Sequence, residues 1–259
     1  MLPKNIVLVR HGESEGNLVR HGSTSIAVRD RLDCDWRLTA TGRSQAEAAG
    51  TWLRERFTAG FRRHYVSDYA RAKETAALLA LRGAIWLVDP ALRERDYGVL
   101  DVLPRDEAAR LYPDSARIEK ANPFYWRPPE GESIADLIIR LRAGVIDGLH
   151  GECADDDILI VCHGQVMWAL VAMLTRMLPT RFNELARSKD PHDRMQYCQI
   201  IHFTREDPTS KRIERYLKWM RWSCPGDPAL SRDEWELIER PLYTNEQLKE
   251  QVDAIEPLT

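Results

Sequence analysis

Two dipeptides in this chain could do chemistry at one place. His11-Gly12 follows Ile6-Val7-Leu8-Val9-Arg10, and His163-Gly164 follows Ile158-Leu159-Ile160-Val161-Cys162. An imidazole is a nucleophile or a proton acceptor near neutral pH. A glycine directly after it lets a ligand come close to the backbone. Arg10, next to His11, adds a permanent cation whose planar fork matches phosphate oxygens. One such histidine is an ordinary loop or core residue; two in matching positions, one beside an arginine, point to an anion site. The tetrapeptide Val9-Arg10-His11-Gly12 recurs as Val19-Arg20-His21-Gly22. The second copy lies between Gly16-Asn17-Leu18 and Ser23-Thr24-Ser25, a loop composition, so His21 reads as a rim residue, with Arg20 in reach of a substrate.

These residues need elements to hold them. The runs before both histidines lack polar alternation, which fits strands buried on both faces. The spacing predicts a helix over 41–57, with Ala46, Ala49, Trp52, Leu53 and Phe57 on one stripe. It predicts another over 133–149, with Ile134, Leu137, Ile138, Leu141, Val145, Ile146 and Leu149 in register, opened by the capping signal Ser133-x-x-Asp136. Residues 69–81 are alanine-rich and helical, and 85–88 form a short strand. Strands alternating with helices imply an α/β fold, a three-layer α/β/α sandwich around an open, mostly parallel sheet. Ligands of such sheets bind beyond the carboxyl ends of the strands, where both His-Gly pairs fall. The expected domain is 1–204. Within it, 96–131 carries Pro104, Pro113, Pro123, Pro128 and Pro129 and reads as an insertion. Residues 205–211 read as a turn or linker, and the extension 205–259 is rich in Trp and charge.

The chain has 259 residues, 44% hydrophobic and 30% charged, with a net charge of −3. That excludes a disordered chain and gives no global pull toward nucleic acid or anionic membrane, so an anion site must be local. The longest apolar run, 166–174, falls short of the roughly 20 residues a membrane span needs. No signal-peptide pattern opens the sequence, and a cytoplasmic location is expected. Cys34, Cys153, Cys162, Cys198 and Cys224 are odd in number and widely spaced, which suggests reduced thiols. His64, His150, His192 and His202 are isolated, with no metal-binding spacing, and read as surface or packing residues. Neither a metal nor a cofactor is expected.

Leu8-Val9-Arg10-His11-Gly12-Glu13-Ser14-Glu15-Gly16-Asn17 resembles the signature of the histidine phosphatase superfamily, in its phosphoglycerate mutase-like branch. Further blocks follow in order: Leu38-Thr39-x-x-Gly42-x-x-Gln45-Ala46, Ser67-Asp68-x-x-Arg71-Ala72-x-x-Thr75-Ala76, Leu92-Arg93-Glu94-Arg95-Asp96-Tyr97-Gly98, Gly131-Glu132-Ser133 and Val161-Cys162-His163-Gly164. The resemblance covers about 4–204 and implies a phosphoglycerate mutase-like fold. It implies that His11 attacks phosphorus in line to give a phosphohistidine, with a carbonyl fixing its tautomer. Arg10, Arg71 and His163 then supply the cations around the phosphoryl oxygens. Glu94 is the proton donor to the leaving group, with a raised pKa expected. A salt bridge to Arg93 or Arg95 is the plain alternative for Glu94. Glu13 reads as a loop-holding residue and Asp96 as a weaker donor. Ser14 and Asn17 offer hydrogen bonds at the rim or cap the following helix, and Gly164 completes the phosphate-binding set.

Members of this branch include mutases and phosphatases. The glycolytic mutases carry an Arg-Arg pair ahead of a proline run. Here the stretch reads Ala121-Asn122-Pro123-Phe124-Tyr125-Trp126-Arg127-Pro128-Pro129, with one arginine and three aromatics. That favours hydrolysis of small phosphomonoesters whose leaving group packs on aromatic surface, with the mutase as the alternative. Arg20, Arg29 and Arg31 are candidates for a second anionic group. Lys211, Arg212, Arg215, Lys218 and Arg221 alternate with Tyr216, Trp219 and Trp222, a pattern that can stack bases. An edge strand or helix docking its Trp face on the domain explains the same pattern, and acidic 227–239 offsets its charge. The expected partner is a small phosphorylated molecule, with no nucleic acid and no membrane, and a homodimer is left open.

Overall fold

The structure, a computed structural model, describes residues 2–20, 32–103, 105–153 and 155–257, without the side chains of 19, 20, 102, 105, 106 and 150–152. Arg29, Arg31, His21 and the side chains of Arg20 and His150 lie outside the described residues. A seven-stranded sheet forms the centre, in the order β3-β2-β4-β1-β5-β6-β7. Strands β1 (Asn5–Arg10), β2 (Arg63–Val66), β3 (Trp86–Val88) and β4 (Asp157–Cys162) are parallel, and β5 (Ile200–Thr204), β6 (Trp219–Ser223) and β7 (Arg232–Leu237) continue it as an antiparallel wing.

The unbroken apolar runs of β1 and β4 serve two cores. Alternate side chains leave a strand on opposite faces. Val7, Val9, Leu159 and Val161 pack on one side with Ala46, Ala49, Trp52 and Leu53 of α2 (Ala40–Arg56) and Ala72 and Ala76 of α3 (Ala70–Leu78). Ile6, Leu8, Ile158 and Ile160 pack on the other with Leu137 and Leu141 of α6 (Ile134–Leu141) and Val166, Met167 and Leu170 of α8 (Gly164–Thr175). Two helical layers thus enclose the sheet. A short α1 (Glu15–Arg20) follows β1, and α4 (Arg105–Leu111) and α5 (Pro113–Ala121) lie in the proline-rich stretch. No helix among the described residues is long and apolar enough to cross a membrane.

Two predicted elements differ in detail. The helix over 133–149 does open with a capping box, Ser133 and Asp136 each bonding the other's backbone N–H. After Leu141, however, a π-type turn spans Arg142–Ile146 before α7 (Asp147–Glu152). At that turn Gly144 meets the Ala91 side chain so closely that an added Cβ would sit 2.5 Å from it. The extra residue in the turn also lets both Val145 and Ile146 reach the core. The basic-aromatic stretch enters the sheet as β6. Trp222 is buried, Arg221 stacks between Trp52 and Trp235, Lys218 sits over Trp219, and Arg240 over Tyr216. The chain's own cations therefore occupy aromatic faces that bases would need. A helix α9 (Pro179–Arg187) follows α8, and beyond β7 lies one more described helix, α10 (Asn245–Asp253).

Candidate active site

Strand register brings the two His-Gly pairs together. Arg10 of β1 faces Cys162 of β4, so His11 and His163 leave the sheet at the same edge, and the His11 N–H donates to the Cys162 carbonyl at 2.9 Å. Val66 of β2 faces Val161, so Ser67 emerges there as well. The His11 ring is 2% exposed and meets the His163 ring edge-on, centroids 5.1 Å apart. Its Nδ1 lies 2.7 Å from the Gly12 carbonyl oxygen, which can only accept. Nδ1 therefore carries the proton in the neutral ring, and Nε2 carries the lone pair. Gly12 is held in turn: its N–H donates to Thr75 Oγ1 at 3.1 Å, and an added Cβ would meet the Gly42 carbonyl oxygen at 2.3 Å.

The predicted cations are not equivalent. Arg10 donates to the Met195 carbonyl at 2.5 Å and stacks on Tyr197 at 4.3 Å, while its Nε is buried without a partner among the described residues. Burial lowers its pKa, and the charges of Tyr197 and Glu94 oppose that shift. Arg71, 4% exposed on α3, gives both terminal nitrogens to the Asp33 carboxylate at 3.0 and 3.3 Å and lies over the Tyr69 ring. His163 is fully buried, with Nε2 at 2.8 Å from the Ser67 hydroxyl and Nδ1 without a partner among the described residues. Burial first, then the charges of Arg71, His11 and Arg10, hold its pKa well below the usual value. Without a phosphoryl group beside it, the ring is thereby held toward its neutral form. In the neutral ring, Nδ1–H is a donor when the Ser67 hydroxyl donates to Nε2.

Glu94 enters the same cavity, about 210 Å³ in volume, beside Arg10, His11, Ser14, Asn17, Arg71 and Gly164. Its carboxylate accepts from the backbone N–H of Arg95 at 2.9 Å and, more weakly, from that of Gln165 at 3.4 Å, in the first turn of α8. The flanking arginines are engaged elsewhere. Arg93 pairs with Asp68, and Arg95 donates to the Glu132 and Trp126 carbonyls. The loop that carries Glu94 is tied down by Arg140, which donates to the carbonyls of Ala91 and Arg93 and pairs with Glu132. Glu13 accepts from Thr39 Oγ1, the cap of α2. Asp96 accepts from the Gly98 N–H within its own turn. Ser14 donates through N–H and hydroxyl to Asn17 Oδ1 at the start of α1, so this pair both caps a helix and lines the cavity.

Asp33, Trp36, Tyr97, Gln165, Trp168 and Met195 complete the wall, and the motif reading did not single them out as site residues. A helical wheel starting at Gly164 could have found Gln165 and Trp168, one turn apart; nothing in the sequence marks Asp33. The aromatic leaving-group surface expected from Phe124, Tyr125 and Trp126 is corrected. Phe124 is buried against Phe182, Trp126 is buried beneath Arg95, and none of the three lines the cavity. Trp36, Tyr97 and Trp168 line it instead. The single arginine of that stretch, Arg127, pairs with Asp136.

The model of the histidine phosphatase superfamily (branch 1) matches residues 6–214. The chain is 35% identical over 188 residues to a 2,3-bisphosphoglycerate-dependent phosphoglycerate mutase of Methylobacterium radiotolerans, covering 70% of this chain and 83% of that protein. It is 31% identical over 170 residues to 6-phosphofructo-2-kinase/fructose-2,6-bisphosphatase 1 of Mus musculus, covering 66% of this chain but only 32% of the mouse protein's length. A mycobacterial glucosyl-3-phosphoglycerate phosphatase solved with VO3 is similar in structure, with a TM-score of 0.60 and 26% identity over 77% of this chain and 92% of that one. The motif order, the paired histidines at one sheet edge and the match across 6–214 agree: this chain belongs to the histidine phosphatase superfamily, branch 1.

Proposed function

We propose that the chain is a metal-independent, cytoplasmic phosphatase that hydrolyses small phosphomonoesters through a phosphohistidine on His11. One observation carries the reading. The buried His11 ring, its proton held on Nδ1 by Gly12, shares a cavity with two arginines and a carboxylic residue, Glu94. The Nε2 lone pair attacks phosphorus, and the bond from phosphorus to the alcohol oxygen breaks. That oxygen takes its proton from Glu94, acting in its acid form. Arg10 and Arg71 oppose the charge on the phosphoryl oxygens, and His163 donates through Nδ1–H. A water then attacks the phosphohistidine and gives its proton to the Glu94 carboxylate, which releases phosphate and restores both groups.

The mutase alternative draws support from the name of the Methylobacterium relative. Against it, Arg127 is held by Asp136 away from the cavity, so it does not serve a second anionic group there. The test is hydrolysis of an aryl phosphate with chelator present. His11→Ala is expected to lose at least about 1000-fold in turnover. Glu94→Gln is expected to keep phosphoenzyme formation from the aryl phosphate while hydrolysing alkyl phosphates about 100-fold more slowly, because only the alkyl leaving group needs the proton. Unchanged turnover in His11→Ala, or its loss with chelator, overturns the reading. Rapid isomerisation of 3-phosphoglycerate with its bisphosphate primer would favour the mutase.

A further inference from the structure

We propose that Asp33 is a specificity-determining residue that restricts the site to monophosphates of neutral, hydroxyl-bearing alcohols and disfavours substrates with a second anionic group near the phosphate. The inference rests on the phosphomonoesterase reading and names its substrate class. Asp33 lies in no catalytic motif, yet it lines the cavity and grips Arg71 at three points. The backbone carbonyl accepts from Nη1 at 2.6 Å, and the carboxylate accepts from Nη1 at 3.3 Å and from Nη2 at 3.0 Å. Arg71 is buried against Tyr69 on α3, so the pair is built into the wall.

The consequence is a matter of charge. Among the described lining residues the cations are Arg10 and Arg71; Asp33 is a carboxylate facing Arg71, and Glu94 enters the reaction as the acid. Burial holds the His163 ring beside them toward its neutral form. Asp33 therefore offsets one of the two cations before any substrate enters. A phosphoryl group takes Arg10 and the donors of the five-donor Arg71 fork that Asp33 leaves. A second anion in a cavity of about 210 Å³ then sits close to the Asp33 carboxylate, with no described lining cation left to receive it. The rest of the wall suits a neutral alcohol. Asn17 and Gln165 bring side-chain amides for hydroxyl groups, and Trp36, Tyr97 and Trp168 bring apolar faces for carbon chains or rings.

Glycerol 3-phosphate and 3-phosphoglycerate separate the cases, since they differ by a hydroxymethyl group against a carboxylate. Binding of each is measured by calorimetry to the full chain carrying His11→Ala, which blocks turnover, with and without Asp33→Asn. With Asp33 present, glycerol 3-phosphate is expected to bind about tenfold tighter or more, and Asp33→Asn is expected to narrow that ratio about tenfold, as like-charge repulsion in a partly desolvated site predicts. Equal or tighter binding of 3-phosphoglycerate with Asp33 present overturns the proposal; Arg29 or Arg31 receiving its carboxylate would give that result. A ratio unmoved by Asp33→Asn also overturns it. If Asp33→Asn does not fold, the comparison with Asp33 intact decides alone. An expected binding ratio combined with no aryl phosphate hydrolysis by the unaltered chain would refute the hydrolase reading and leave the role of Asp33 standing.

Discussion

Around His11, two buried nitrogens lack partners among the described residues: Arg10 Nε and His163 Nδ1. Leaving such a group unsatisfied costs about 1–3 kcal/mol. That cost, next to His11, fits the proposal that a phosphoryl group completes this pocket. Arg10 is set by its bond to Met195 and its stacking on Tyr197, neither of which an ammonium reproduces. Arg10→Lys, which keeps the charge, is therefore expected to lower kcat/KM for an aryl phosphate by about tenfold or more. Steady-state kinetics check it, and wild-type values would mean that charge alone suffices. Arg10, His11 and His163 are legible in the sequence because each adjoins a glycine or a strand end. Asp33 is not, because it reaches Arg71 through chain closure across 38 positions.

Elements deliver these residues by register and by close backbone contact. The His-Gly turn after β1 presses on the first turn of α2, where a Cβ on Gly42 would lie 2.0 Å from the Glu13 carbonyl oxygen. That contact gives the spacing Thr39-x-x-Gly42 its physical reason: Thr39 caps the helix through the Gly42 N–H, and Gly42 admits the loop. Gly42→Ala forces the two backbones apart and is expected to cost more than about 2 kcal/mol and most of the activity. Ser133→Ala removes a cap remote from the chemistry and is expected to cost about 1 kcal/mol with KM unchanged. Urea unfolding and initial-rate assays on both variants check the contrast; equal losses in stability and activity would refute it. The capping box of α6 is legible from Ser133-x-x-Asp136. The π-type turn that follows is not, since it arises where Gly144 meets Ala91, in the loop that leads to Glu94.

Over the whole molecule, buried histidines couple stability to pH. His202 is held down to about 3 by burial, with Arg221 and Lys4 adding to it, and His163 is held well below its usual value, again mainly by burial. In the unfolded chain both titrate near 6.5. Below that pH the unfolded state binds protons that the fold refuses. Stability is therefore full above about 6.5 and falls as pH drops toward 3, by up to about 1.4 kcal/mol per pH unit for each ring. Urea unfolding between pH 7.5 and 5 checks the slope. His202→Gln, which cannot titrate, is expected to flatten it, and an unchanged slope would assign the effect elsewhere. By itself the sequence determined the fold class, the family and the His-Gly pairs proposed to handle phosphate, because apolar runs, caps and His-Gly turns are local patterns of a few residues. Only the tertiary structure decided that burial pushes the His163 pKa down, that the aromatic wall is Trp36, Tyr97 and Trp168, and that Asp33 sits on Arg71. Burial, charge and cavity lining are sums over segments distant in the chain, which no local pattern records.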